Sequence, residues 1–484
     1  MNTISQVKSI KKNALLSIIK QLFSIVFPMI TFPYVARILG VEAYGKYTFS
    51  LSIVNYVSYI AAAGILRYAI RECAKVRENK NELQKLANEI FTINILTTLF
   101  AFATLFIFLF CIPDLHSYTP YILVISLSVL FTTIGVDWIN SAYEDYFFIT
   151  VRYVFSQGIA FLLLFIFVQD SNDLFYYCFI SILGGVIANI CNILYIRKKL
   201  TFYPKLIFSC SIIKHFKSIF YLFLSTIATF IYINSDISIL RMFFDDKTVG
   251  YYGISTQFYQ LIKQLIIAAF IVIIPRVSNE LTKNRDVVIE KYNRTLAITL
   301  LLIIPSAVGL FMIREELISL IAGKEYLQSA SSLAILAFSL IPSMLANFYI
   351  NIVMIPMKME KSVMIATIFS ATINIVLNFI LIPIYSENAA AATTLLAELT
   401  LTLFSIYYCR NQGIKIMSKE LNISLIGSLM ILLICYFLNK NILSEPLLFV
   451  SLSILFSVVV YGFLLALVYR KKLYKIINKK FIIN

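Results

Sequence analysis

The chain is a succession of fourteen apolar stretches, each near the roughly 20 residues a helix needs to cross a bilayer. They fall at 14–36, 48–66, 90–112, 118–139, 147–168, 174–196, 218–240, 252–275, 293–313, 330–356, 362–384, 388–408, 421–438 and 446–469. Hydrocarbon holds no water to satisfy a backbone, so such stretches close their own hydrogen bonds as helices. The fold class predicted is all-α integral membrane. With 60% of residues hydrophobic and 14% charged, no length remains for a large soluble domain. A soluble enzyme, a disordered chain and a disulfide scaffold are excluded on the same ground. The seven cysteines are scattered without a CxxC pair, and His116 and His215 stand apart, so neither a zinc site nor a catalytic triad is expected. No GxxxxGK[ST] run is present, so ATP hydrolysis by a P-loop is not expected. The first apolar run continues without a small-residue cleavage site and reads as a spanning helix, not a signal peptide.

Charge orients the spans. With the N-terminus in the cytoplasm, 31 of the 41 lysines and arginines fall in cytoplasmic segments and 7 in outer loops. That bias is the positive-inside pattern. It predicts both termini inside, and it removes nucleic acid as a partner, because the net charge of +16 is spread over loops with no binding module.

Shifted by 205 residues, segment 45–80 faces 250–285 without a gap. Gly45 meets Gly250, Tyr47 meets Tyr252, Ser50 meets Ser255, Ala63 meets Ala268, Arg71 meets Arg276 and Asn79 meets Asn284. A unit of six helices keeps its orientation, so this is a parallel repeat, a transporter architecture with the binding site between halves. The expected organisation is an N-lobe at 1–196, a basic linker at 197–217, a C-lobe at 218–408, two further helices within 421–469 and a basic tail at 470–484.

Ionisable groups at membrane depth are costly and face a cavity or a partner. Three cations, Lys20, Arg152 and Lys263, and three acids, Asp137, Asp236 and Glu398, lie within spans. Lys263 falls mid-span, with Thr256 and Gln260 on its face by helical spacing. Two readings stand: a cavity cation, or a structural ion pair with Glu398. Gln21 lies on a polar stripe of the first span beside Lys20, and Asn55 lies on one in the second, aligned with Gln260 in the repeat. Asp137 reads as a local pair with Arg152 or as a cytoplasmic gate. Asp236 reads as a structural pair with Arg241 at the outer end of its span.

Three segments carry a family pattern: ARILGVEAYGKYTFS (36–50), VDWINSAYEDYFFIT (136–150) with the Arg152 helix after it, and DDKTVGYYGISTQ (245–257) followed by IPRVSNE (274–280). With them the chain resembles the polysaccharide flippases of the Wzx type, in the superfamily that also holds MATE drug exporters and lipid II flippases. It departs from the family pattern at Asn140-Ser141, where Gln-Gly is usual. The resemblance implies a transporter, not an enzyme, with two MATE-like lobes working by alternating access in the bacterial inner membrane. Its substrate would be undecaprenyl pyrophosphate carrying an oligosaccharide unit for O-antigen or capsule. Lys263, Lys20 and Arg152 would meet the pyrophosphate, with Asn55, Gln260 and Gln21 toward the sugar. Arg67, Arg71 and Arg276 would form a cytoplasmic rim, and Asp236 or Glu398 would couple H+ or Na+. No cofactor is expected. Membrane lipids, a polysaccharide polymerase and a chain-length regulator are the candidate partners. A multidrug or cation antiporter, a lipid II flippase and a membrane-embedded polymerase remain as alternatives. The last is disfavoured by short outer loops.

Overall fold

A computed structural model describes residues 10–199, 202–209, 234–271, 285–415, 418–441 and 445–481, with Ile212, His215, Ile219 and Phe223 singly. Every regular element among them is helical: α1 Ile10–Ala62, α2 Ile65–Val76, α3 Lys80–Cys111, α4 Thr119–Gly135, α5 Trp138–Ala142, α6 Tyr146–Phe167, α7 Leu174–Lys199, α8 Asp246–Ile271, α9 Arg285–Ile321, α10 Ser329–Asn347, α11 Glu360–Cys409, α12 Ser418–Asn441 and α13 Pro446–Phe481. Ten helical stretches in the described residues are long and apolar enough to span a membrane. Two of them, Leu15–Val76 and Glu360–Gln412, each hold two of the spans read from the sequence. The span at 218–240 lies largely outside the described residues.

The protein is an all-helical, multi-pass membrane protein, and its polarity is inverted accordingly. Large apolar side chains face outward, as with Phe110, 86% exposed on α3. Amides and hydroxyls are inside: Asn192, Asn374 and Asn378 are fully buried. Hydrocarbon rewards this arrangement, because buried polar groups find partners on neighbouring helices.

Breaks are local events in the backbone. The 53 residues of α1 would run about 80 Å if straight, more than twice the hydrocarbon core. The run is divided at Gly40, whose φ of 71° and ψ of 174° suit glycine alone. The sequence reading placed a loop at 37–47. Here the break is confined to Gly40, and the chain is helical again from Val41 through Lys46, which pairs with Glu42 one turn earlier at 3.0 Å. In α11 the corresponding division falls at Ser386, at φ 54°. Val136, at φ 43°, ends α4 early, so Asp137 lies in the α4–α5 joint and not inside a span.

The chain divides into two compact units, 1–253 with 375–386, and 254–374 with 387–484. In the first, the N-terminal turns of α8 cross α1 with almost no room. A Cβ added to Gly45 would lie 1.8 Å from the Asp246 carbonyl oxygen, and one on Gly250 would lie 2.3 Å from that of Val41. Position 41 relates to 246 by the same 205-residue offset that relates 45 to 250. The crossing is therefore reciprocal. Also in this unit, segment 202–209 is strapped to α3: the Lys205 and Ile207 amides each donate at 2.9 Å, to Asn88 Oδ1 and Thr92 Oγ1. In the second unit, α9, α10 and α12 enclose a core around Tyr292, Leu296, Ile303 and Phe348.

Candidate functional site

Two buried polar networks stand out, one in each unit. In the second unit, Lys263 on α8 directs its ammonium to Glu398 on α11, with Nζ 3.2 Å from Oε1. The same oxygen accepts from Ser343 of α10 at 2.8 Å and from Tyr259 at 3.4 Å. Tyr259 precedes Lys263 by one helical turn, and its ring lies 5.4 Å from the ammonium. Glu398 is 4% exposed, while the Lys263 side chain keeps 20%. The carboxylate is thus enclosed, while part of the lysine side chain stays accessible. Below it, the Thr402 hydroxyl donates to the Pro342 carbonyl at 2.6 Å, which ties α11 to α10 beside the proline. Gln260 is half-buried on α8.

In the first unit, Asp236 is 5% exposed. Its Oδ2 accepts from the Tyr252 hydroxyl at 2.8 Å and its Oδ1 from the Asn378 amide at 2.6 Å. Beside it, Asn55 donates to Asn234 Oδ1 at 3.1 Å. The pairing of Asp236 with Arg241 read from the sequence is replaced by another. Arg241 donates to Asp246 at 2.9 Å and to the Tyr118 hydroxyl at 2.6 Å. Asp246 opens α8, so this cluster fastens the start of that helix next to the glycine crossing. Just before it, the exposed Asp245 caps α8 by accepting from the Thr248 hydroxyl at 2.7 Å and amide at 2.9 Å. The hydroxyl bond first, with the amide, holds the Asp245 carboxyl below the usual carboxylate range.

The other sequence candidates fall as follows. Arg152, with a side chain 6% exposed, forms an ion pair with Asp137 and donates to the Ala188 carbonyl at 3.3 Å. Nearby, Asn140 donates to Asn192, whose own amide donates to the Gly135 carbonyl at 2.6 Å. Lys20 lies 5.7 Å from the Tyr153 ring centroid. Gln21 is half-buried, and its carbonyl accepts from Ser24 at 2.7 Å. Arg67 and Arg71 are exposed on α2. Arg276 and the IPRVSNE segment lie outside the described residues.

Sequence reasoning did not join Tyr259 and Ser343 to Lys263, nor Tyr252 and Asn378 to Asp236. The first signal was available, since Tyr259 stands four residues before Lys263 on one helix face. Asn378 and Ser343 were visible only as polar steps on their own helices.

Comparisons with known proteins bear on the family and the fold. Residues 10–281 match the family described as "Polysaccharide biosynthesis protein", and residues 222–380 match "MatE". A protein of Escherichia coli (strain K12) described as "Putative O-antigen transporter" is 21% identical over 413 residues, 84% of this chain and 98% of its own. A protein of the same description from Shigella dysenteriae is 23% identical over 82% of this chain and 99% of its own. Among solved structures, the lipid II flippase MurJ in an inward closed conformation superposes with a TM-score of 0.77 at 20% identity, covering 95% of this chain and 99% of its own. An inward-facing multidrug resistance MATE transporter of the MOP superfamily gives 0.61 at 12% identity, over 80% of this chain and 98% of its own. These relatives are transporters rather than enzymes, and the fold they share is the fold found here. With more than half its length matched, the chain belongs to the polysaccharide biosynthesis protein family.

Proposed function

We propose that this protein is a flippase that moves undecaprenyl-pyrophosphate-linked oligosaccharide units from the cytoplasmic to the outer leaflet of a bacterial inner membrane, for O-antigen or capsule. Fourteen spans with both termini inside, in two six-helix lobes plus two further helices, are the architecture that goes with this reading. The lipid tail stays in the bilayer, so only the sugar and pyrophosphate need a polar passage.

The observation that carries the proposal is the Lys263–Glu398 pair in a chain of this family. A lysine paired within the helices that keeps part of its side chain accessible can turn from carboxylate to pyrophosphate. As Lys263 engages the substrate, Glu398 keeps the Ser343 and Tyr259 donors and takes up a proton to offset the lost cation. Asp236, within its amide and phenol donors, is the second coupling candidate, for H+ or Na+. Lys20 and Arg152 stand as supporting cations, and Asn55, Gln260 and Gln21 as sugar contacts.

The test is a clean deletion read in two ways: surface polysaccharide, and single lipid-linked units extracted from the membrane. Loss of polymer with units retained on the inner leaflet supports the flippase. Polymer loss with units already outside would place the protein at polymerisation instead. A second reading, a multidrug exporter, is favoured by the MatE match over 222–380 and the buried acids. It predicts normal polymer and altered drug sensitivity.

A further inference from the structure

The cytoplasmic turn after α1 departs from an ordinary helix–helix loop. Two successive left-handed residues, Ala63 at φ 43° and Gly64 at φ 71°, end α1 and redirect the chain into the 12 residues of α2. That helix presents three different faces. One is core: Ile65, Tyr68, Ala69 and Cys73 are buried against α3 and α5. One edge is apolar and open, with Leu66 53% exposed and Ile70 half-buried beside it. The other edge carries Arg67, Arg71 and Lys75, which at four-residue steps form a single stripe.

The stripe is organised rather than neutralised. Glu72 accepts from Arg71 Nε on one oxygen and from Lys75 on the other, both at 2.8 Å. The Arg71 side chain also lies over the Tyr68 ring, 5.6 Å from its centroid. Glu72 takes only the Nε of Arg71, so among the described residues its two Nη groups have no protein partner, and neither has the Arg67 guanidinium. The Arg71 and Lys75 side chains remain 58% and 61% exposed. Two guanidinium forks one turn apart, beside an open apolar edge, match an interfacial lipid: the forks take phosphate oxygens bidentately and the apolar edge meets acyl chain. The basic loops place this end of the chain on the cytoplasmic side, where the leaflet is anionic.

We infer that α2 is a docking surface for the phosphodiester head groups of anionic phospholipids, with Arg67 and Arg71 as the phosphate ligands and Glu72 as the residue that positions Arg71. This reassigns the two arginines from the substrate's entry to the surrounding bilayer, and it stands whether or not the protein is a flippase.

The experiment uses the purified full chain in detergent, titrated with phosphatidylglycerol, with phosphatidylcholine and with undecaprenyl pyrophosphate, with bound lipid counted by native mass spectrometry. One basic residue near an anionic surface is worth roughly fivefold in binding. Arg67→Ala with Arg71→Ala should then weaken phosphatidylglycerol retention roughly 25-fold and that of phosphatidylcholine, whose choline offsets its phosphate charge, by much less. The double lysine variant keeps the charge and loses the fork, so it should fall between. Both positions are exposed, and a single elution peak checks that the variants fold. Charge reversal at Arg71 gives an independent variant in the same direction. Unchanged phosphatidylglycerol binding in the double alanine protein would overturn the inference. So would a loss confined to undecaprenyl pyrophosphate, which would return the arginines to the substrate. A lysine variant equal to the parent would show bulk attraction only and refute the fork.

Discussion

The Lys263–Glu398 pair allows stability and function to be separated by charge deletion in pairs. At 3.2 Å and an effective dielectric of about 20, the attraction is about 5 kcal/mol before desolvation. Removing one member of such a pair leaves the other buried alone, which costs about 3 kcal/mol, while removing both is close to neutral. Lys263→Met strands Glu398, which is 4% exposed and retains only the Ser343 and Tyr259 donors. Glu398→Gln strands a lysine whose side chain is still 20% exposed, so its cost should be smaller. The double variant should unfold within about 1 kcal/mol of the parent. Thermal unfolding of purified protein measures the first quantity, and surface polysaccharide in a complemented deletion strain measures the second. If Lys263 meets the pyrophosphate, the double variant is stable and makes no polymer. Restored polymer in the double variant would refute the cation role and leave the pair as structural.

Three further outcomes follow from the geometry. Gly45→Ala and Gly250→Ala place a methyl against backbone oxygen and should each lower stability by about 2 kcal/mol, whereas Gly158→Ala and Gly185→Ala, with nothing within 4 Å, should be neutral or stabilising; melting of the four proteins decides. Asp137→Asn leaves the Arg152 guanidinium, 6% exposed, without its carboxylate and should cost about 3 kcal/mol, and Arg152→Ala should cost less because the Asp137 side chain it leaves is 36% exposed, again read by thermal unfolding. Cys111 is exposed and Cys73, Cys178, Cys409 and Cys435 are buried, so under the proposed orientation with both termini inside a membrane-impermeant maleimide applied to the outer face should label only Cys111 among these; lack of labelling there would count against that orientation.

What was legible in the sequence follows from what each residue reveals by itself. Apolar length is a per-residue property, and hydrocarbon enforces it, so the helical, multi-pass character was readable. Arg152 and Asp137 are 15 residues apart and on adjoining elements, so their pairing was accessible. Lys263 and Glu398 are 135 residues apart, and the sequence offered their contact only as one of two readings. Asp236 was given to Arg241 because that cation is near in sequence, whereas its donor Asn378 comes from 142 residues away. A polar stripe shows which face of a helix is wet or bonded. It does not show which neighbour it meets. The helical passage through 41–47 was missed for the opposite reason: charges at Glu42 and Lys46 lowered hydropathy without breaking the backbone, and they bond to each other along the helix.

The glycine crossing has the form of an isologous contact, the kind in which two identical subunits offer each other the same patch. Here both patches belong to one chain and lie within one compact unit. Gly45 rests on the carbonyl of residue 246 and Gly250 on that of residue 41, so each helix supplies both the groove and the ridge. A dimer of identical subunits would suffer any change at this point twice over. In a single chain, a substitution alters one side of the contact and leaves the other glycine as it was. At the crossing, a side chain gained on either helix meets backbone oxygen, so no change on one side can be relieved by a change on the other.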